Sequence, residues 1–347
     1  MPLRPRKTER EHAARRRRYR LLLAGMLAFL LAAMVLSFGV GYYPLSPGQA
    51  AAAFLSRFGW RGDVPPQAET VFWSFRLPRI LSAALIGASL SAAGAAYQGM
   101  FRNPLVSPDI LGVSSGASLG AAAAILGGGS SGLIQLSAFL GGAAAVAASC
   151  LISRRSAQPQ TLSLVLAGSM MMALCNAGVT LIKYVGDPDD VLQQITFWLM
   201  GSLTKADTEA LLWSAVPMAV GLAAVLLLRW RINLLTLDEE EARSLGVNAG
   251  RSRAVFIAAA TLLSAASVCL GGLIGWVGLM IPHMARALVG ADYDRLIPAS
   301  AMLGAGYLVL MDDLARSLLS MEIPLGVVTA VMGVPFFIWL ITRRREA

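Results

Sequence analysis

Long apolar runs dominate the chain, and their lengths predict membrane-crossing helices rather than the core of a water-soluble globule. A span needs about 20 mostly apolar residues. Runs of this kind lie at roughly 21–42, 77–100, 109–127, 131–152, 161–183, 209–230, 252–272, 274–290, 296–316 and 325–342. The pattern predicts an all-α, polytopic membrane protein with about ten transmembrane helices. A shorter run at 191–203, containing Trp198, reads as a short helix or a re-entrant piece. Small residues recur at four-residue spacing as Gly87, Ser91 and Ala95, and again as Gly141, Ala145 and Ser149. Such faces let helices approach closely in lipid.

Composition supports this reading. Of 347 residues, 56% are hydrophobic and 14% charged, whereas soluble domains carry roughly 25% charged residues. Cys150, Cys175 and Cys269 sit singly inside apolar runs, which suits neither a disulfide framework nor a metal site. The net charge of +9 does not point to nucleic acid, because nine of the 29 Lys/Arg fall within the first 20 residues. A basic block running into an apolar span is an orientation signal and an anchor for anionic lipid. The following run is long enough to span, so it is expected to stay as an uncleaved first helix. The organisation is therefore a basic cytoplasmic tail, 1–20, and a single membrane domain, 21–347.

Ten spans would return both termini to the cytoplasm. That arrangement places twenty-two of the 29 Lys/Arg on the inside and leaves Arg57, Arg61, Arg76, Arg79, Lys183, Lys205 and Arg316 outside. The asymmetry is the one the positive-inside rule describes.

Four segments carry chemistry. The loop Arg102-Asn103-Pro104-Leu105-Val106-Ser107-Pro108 leads through Gly112 to Gly116, with two prolines blocking helix continuation. The longest cytoplasmic loop, 229–253, contains Asp238, Glu239, Glu240, Glu241, Ala242, Arg243, Ser244, Leu245, Gly246 and Val247. Acids at its start favour a helix N-terminus, Gly246 suits a C-cap, and Leu237, Ala242 and Leu245 are expected to share one face. A short helix docking a cytoplasmic partner is the expectation. The third segment holds Pro282 and His283. A lone histidine makes no metal site, so a structural role beside the proline break is expected. In the fourth, Asp312 and Asp313 lie four and three residues before Arg316, a spacing that predicts ion pairing on one helix face.

The absences bear on function as well. No phosphate-cradling G-x-x-x-x-G-K-S/T, no H-E-x-x-H and no G-x-S-x-G occurs. No catalytic residue, metal or cofactor of the chain's own is expected. A membrane-embedded enzyme would need acidic or metal-binding residues clustered at one depth, and an ion-coupled transporter would have Asp312 and Asp313 as its only good coupling groups.

Taken in order, several motifs resemble the FecCD-type permeases of type II ABC importers. They are Arg76-Leu77-Pro78-Arg79, Gln98, Arg102-Asn103-Pro104-Leu105 with Leu111 to Ala117, Glu240 to Val247, Val277-Gly278-Leu279 to Pro282-His283 and Arg286, and Glu322-Ile323-Pro324-Leu325-Gly326 to Phe337. The likeness covers nearly everything after the basic tail. It implies a permease in a bacterial inner membrane, paired with a second permease subunit as a homo- or heterodimer. Two ATPase subunits that bind ATP and Mg would lie below, and a periplasmic binding protein above. By the same resemblance, residues 238–247 are coupling elements for the ATPase. Arg57, Arg61 and Arg316 become candidate cations for the binding protein. Asp238 departs from the glycine expected there. Alternating access is the implied mechanism, with an iron-siderophore as the expected cargo and haem, cobalamin, molybdate or tungstate as alternatives.

Overall fold

The computed structural model describes residues 5–41, 43, 45–59, 65–237 and 239–342. Fourteen α-helices follow one another, and no strand occurs among the described residues. In chain order they are α1 (Pro5–Ser37), α2 (Pro47–Ser56), α3 (Pro66–Thr70), α4 (Leu77–Met100), α5 (Val113–Leu126), α6 (Ser131–Arg154) and α7 (Gln160–Val185). After them come α8 (Val191–Met200), α9 (Thr208–Leu235), α10 (Glu239–Ser244), α11 (Ala249–Gly271), α12 (Val277–Val289), α13 (Tyr293–Ser317) and α14 (Leu325–Thr342). A π-helical stretch, Val71–Arg76, joins α3 to α4, and a 3-10 turn, Pro108–Leu111, precedes α5.

Each of the ten expected helices is present, and the 191–203 piece is the short helix α8. Seven helical runs are long and apolar enough to cross a bilayer; α5, α12 and α14 are shorter apolar helices. At a rise of about 1.5 Å per residue, the 14 residues of α5 and the 13 of α12 fall short of a hydrocarbon layer about 30 Å thick. The missing lengths are replaced by folded backbone. Gly112, at φ +86°, ends the 3-10 turn before α5, and Gly272 (φ +69°) and Trp276 (φ +70°) bracket the break before α12.

Irregular backbone is tolerated at membrane depth only where protein satisfies it. Here the break after α11 meets the end of α8 and the start of α14. The Ser202 amide donates to the Gly271 carbonyl and the Leu325 amide to the Gly201 carbonyl, each at 2.9 Å.

Burial sorts the long helices into interior and rim. The windows of α4, α11 and α13 are 78, 72 and 67% buried, against 33, 22 and 28% for α6, α7 and α9. Small-residue faces mark the closest helix crossings. A Cβ placed on Gly87 would come within 2.1 Å of the Gly304 carbonyl oxygen, so α4 and α13 cross backbone to backbone. Gly141 meets Gly116 in the same way, joining α5 to α6. Close approach of this kind supplies dispersion contacts where lipid offers no hydrophobic contrast.

Candidate functional site

Two constellations lie at opposite ends of α4, separated by the length of its 24 residues, about 36 Å.

The first surrounds α10. Helix α9 runs on to Leu235, so the connection expected from residue 229 is confined to 236–248. Within it the six residues of α10 pack against α9 and α11. Ala242 is fully buried and anchors the helix; its carbonyl accepts from the Val247 amide at 3.0 Å. Gly246 stands at φ +80°, the left-handed conformation expected of a C-cap residue. Asn248 then caps α11 through the Arg251 amide at 3.0 Å. Leu245 does not share the face of Ala242: it is 59% exposed, because the chain has begun to turn away at Gly246. Glu241 and Ser244 are also exposed. Asp238 lies outside the described residues, and of Glu239, Glu240 and Arg243 the structure describes the helical backbone.

The loop after α4 is tied into this region. Arg102, itself at φ +51°, donates from Nε to the Leu235 carbonyl at 3.2 Å and from its terminal nitrogen to the Leu237 carbonyl. Those are the last turn of α9 and the chain leading to α10. Asn103 closes its own turn by accepting from the Leu105 amide at 2.9 Å, while Pro104 shapes the exposed bend. Buried Pro108 fills the space beside Gly278, and Gln98 donates to the Leu279 carbonyl at 3.2 Å. The loop therefore fastens α4, α9 and α12 together, a link that sequence spacing alone does not show. Pro282 is buried within α12, and His283 lies 6.4 Å from Phe337 of α14 between ring centroids. Among the described residues no group of three or more His, Cys, Asp or Glu is placed to hold a metal ion.

The second constellation is an ion-pair network at the other end. Asp313 pairs with Arg316, and Asp312 lies 3.5 Å from Arg316 Nε, as the spacing predicts. Two further residues complete it. Arg79 donates to Asp312 at 2.9–3.1 Å and to both Glu322 oxygens at 2.9 Å, a fork across two carboxylates. A charge count could have pointed there: Asp312, Asp313 and Glu322 are three acids on neighbouring segments, and one arginine does not balance them.

Arg316 is not presented to an external partner. It is 6% exposed and donates to the Val40 carbonyl at 2.9 Å, to the Ser37 carbonyl at 3.0 Å and to the Ser37 hydroxyl, so its place in a docking set is corrected to a strut between α1 and α13. Arg57 is exposed, resting 5.6 Å over the Trp73 ring, and Arg61 lies outside the described residues.

Comparisons with known proteins agree with this architecture. Residues 29–343 match the FecCD transport family. The chain is 40% identical to the molybdate import system permease of Haemophilus influenzae, covering 92% of this chain and 94% of that one. It is 38% identical to an iron(III)-citrate import permease of Bacillus subtilis, over 94% and 96% of the two chains. A metal-chelate type ABC transporter solved in an inward-facing conformation superimposes with a TM-score of 0.83 at 39% identity, over 93% of this chain and 99% of that one. With a broken-helix bundle, a tethered α10 and matches of this extent, the chain belongs to the FecCD transport family and is a multi-pass permease subunit of the ABC importer type.

Proposed function

We propose that residues 238–247 form the element through which a separate ATP-hydrolysing subunit moves this permease. In this reading the chain pairs with a second permease subunit in a bacterial inner membrane, with both termini cytoplasmic, and receives cargo from a periplasmic binding protein. The observation that carries it is the mounting of α10. Buried Ala242 seats it against α9 and α11, Arg102 ties the chain just before it to the loop after α4, and Leu245, Glu241 and Ser244 remain exposed for a partner. A displacement of α10 would therefore be passed to α9 and α11 and, through that loop, to α4. A partner that binds α10 differently in its two states can shift the bundle between inward and outward openings, and only such differential binding can do so.

The cargo in this reading is a metal chelate or a metal oxyanion. The named relatives import molybdate and iron(III)-citrate. An iron chelate, the siderophore class included, is the first choice and molybdate the alternative. Arg57, exposed at the Arg79 end, is the remaining candidate for an acidic residue of the binding protein.

The test uses the assembled transporter in proteoliposomes. Arg243→Glu or Ala242→Pro is expected to lower cargo uptake by about tenfold or more while ATP hydrolysis continues, because a helix-interior proline costs about 3 kcal/mol of helix stability. Uptake at the unsubstituted rate in both variants would remove the coupling role. Measuring which labelled compound, iron chelate or molybdate, the partner binding protein retains decides the cargo.

A further inference from the structure

Two crevices of similar size open along the seam between α6 and α11, and their rims carry opposite charge. Each has a volume of about 490 Å³, and Phe139 forms a wall of both. One is bounded by α9 and has Asp207 and Glu209 in its lining, with no cation there. The other is bounded by the start of α7. Its walls are apolar, including Val146, Leu164, Ile257 and Leu262, and its rim carries Arg154 and Gln160. The Gln160 side-chain oxygen accepts from Arg253 at 2.8 Å, and Arg253 is itself largely buried. Arg155 and Arg251 flank the same rim and are exposed. Neither the 154–160 connection nor residues 248–254 contain an acid.

We propose that the Arg154 crevice is a binding site for an anionic phospholipid, with an acyl chain between α6, α7 and α11 and the phosphate on Arg154. The volume falls in the range of ligand sites, roughly 300–1,000 Å³. A soluble anion would find an apolar wall with little to recognise, and a lipid without net charge would leave Arg154 unanswered. The occupant that matches both parts is an amphiphile with a negative head. The position suits it: α6 and α7 belong to the rim of the bundle, and Arg154 and Arg155 close a helix of membrane-crossing length, where basic side chains meet lipid headgroups. The acid-rimmed crevice on the same seam is an internal control, since it would repel the same head.

Native mass spectrometry of the full chain, titrated in detergent with dioleoylphosphatidylglycerol or dioleoylphosphatidylcholine, tests this. The phosphatidylglycerol adduct is expected to exceed the phosphatidylcholine adduct by about fivefold or more, the equivalent of about 1 kcal/mol per surface cation. Arg154→Glu should abolish that preference. Ala258→Phe, which fills the crevice from an exposed position without changing charge, should deplete adducts of both lipids. Arg155→Glu makes the same charge change beside the crevice and should leave the preference within about twofold. Far-UV circular dichroism confirms that each variant is folded. Equal loss in Arg154→Glu and Arg155→Glu would reduce the effect to general surface charge and overturn the site. So would full retention of lipid by folded Ala258→Phe.

Discussion

At the Arg79 end, two arginines and three carboxylates interlock across α1, α4, α13 and the segment before α14, largely out of contact with solvent. At the α10 end, the described contacts that hold the connection from α9 to α11 are buried Ala242 and Val247, capping bonds and two Arg102-to-carbonyl hydrogen bonds. The first arrangement has no low-energy way to come apart, because losing one partner leaves a charge buried and unanswered. The described polar contacts of the second are hydrogen bonds, each contributing about 0.5–3 kcal/mol, and the loss of one leaves no buried charge behind. Among the described residues, the two ends are thus held by different means.

Three substitutions bear on this contrast. Arg79→Ala is expected to have the largest effect, about 3–5 kcal/mol of destabilisation, since Asp312 is 1% exposed and loses its forked partner. Folded yield and thermal melting in detergent read it out, and Asp312→Asn in the same chain should recover part of the loss. Melting unchanged by Arg79→Ala would dissolve the distinction between the two ends. Arg102→Ala should act locally, releasing about 1.5–3 kcal/mol of charge-assisted bonding at the Leu235 and Leu237 carbonyls. Hydrogen exchange should accelerate across 236–248 with little change in global melting. Gly246→Ala ranks last at about 1 kcal/mol, the cost of a left-handed conformation for a residue with a Cβ. It should shorten protection of α10 alone and lower coupling modestly.

Much of the architecture was legible before any coordinates, and the reason is local. The helix positions, the stripes through Gly87 and Gly141, the cap at Gly246 and the pairing of Asp312 and Asp313 with Arg316 all follow from spacing along one helix. The backbone period brings such residues together whatever the rest of the chain does. The shortness of α5 and α12 was harder to see, since an apolar run reads alike whether it is helical throughout or broken at Gly112 or Gly272. Hydropathy reports solvent, not backbone conformation.

By itself the sequence determined a helical, lipid-bathed permease of the FecCD family with a short helix between α9 and α11. Tertiary structure alone decided that Arg79 and Glu322 complete the ion network, that Arg316 is an internal strut rather than an outward cation, and that Arg102 grips the end of α9. These pairings join residues 133 to 279 positions apart. They depend on the rotation and depth of each helix, which are set where glycine-faced helices touch and not by the residues that pair.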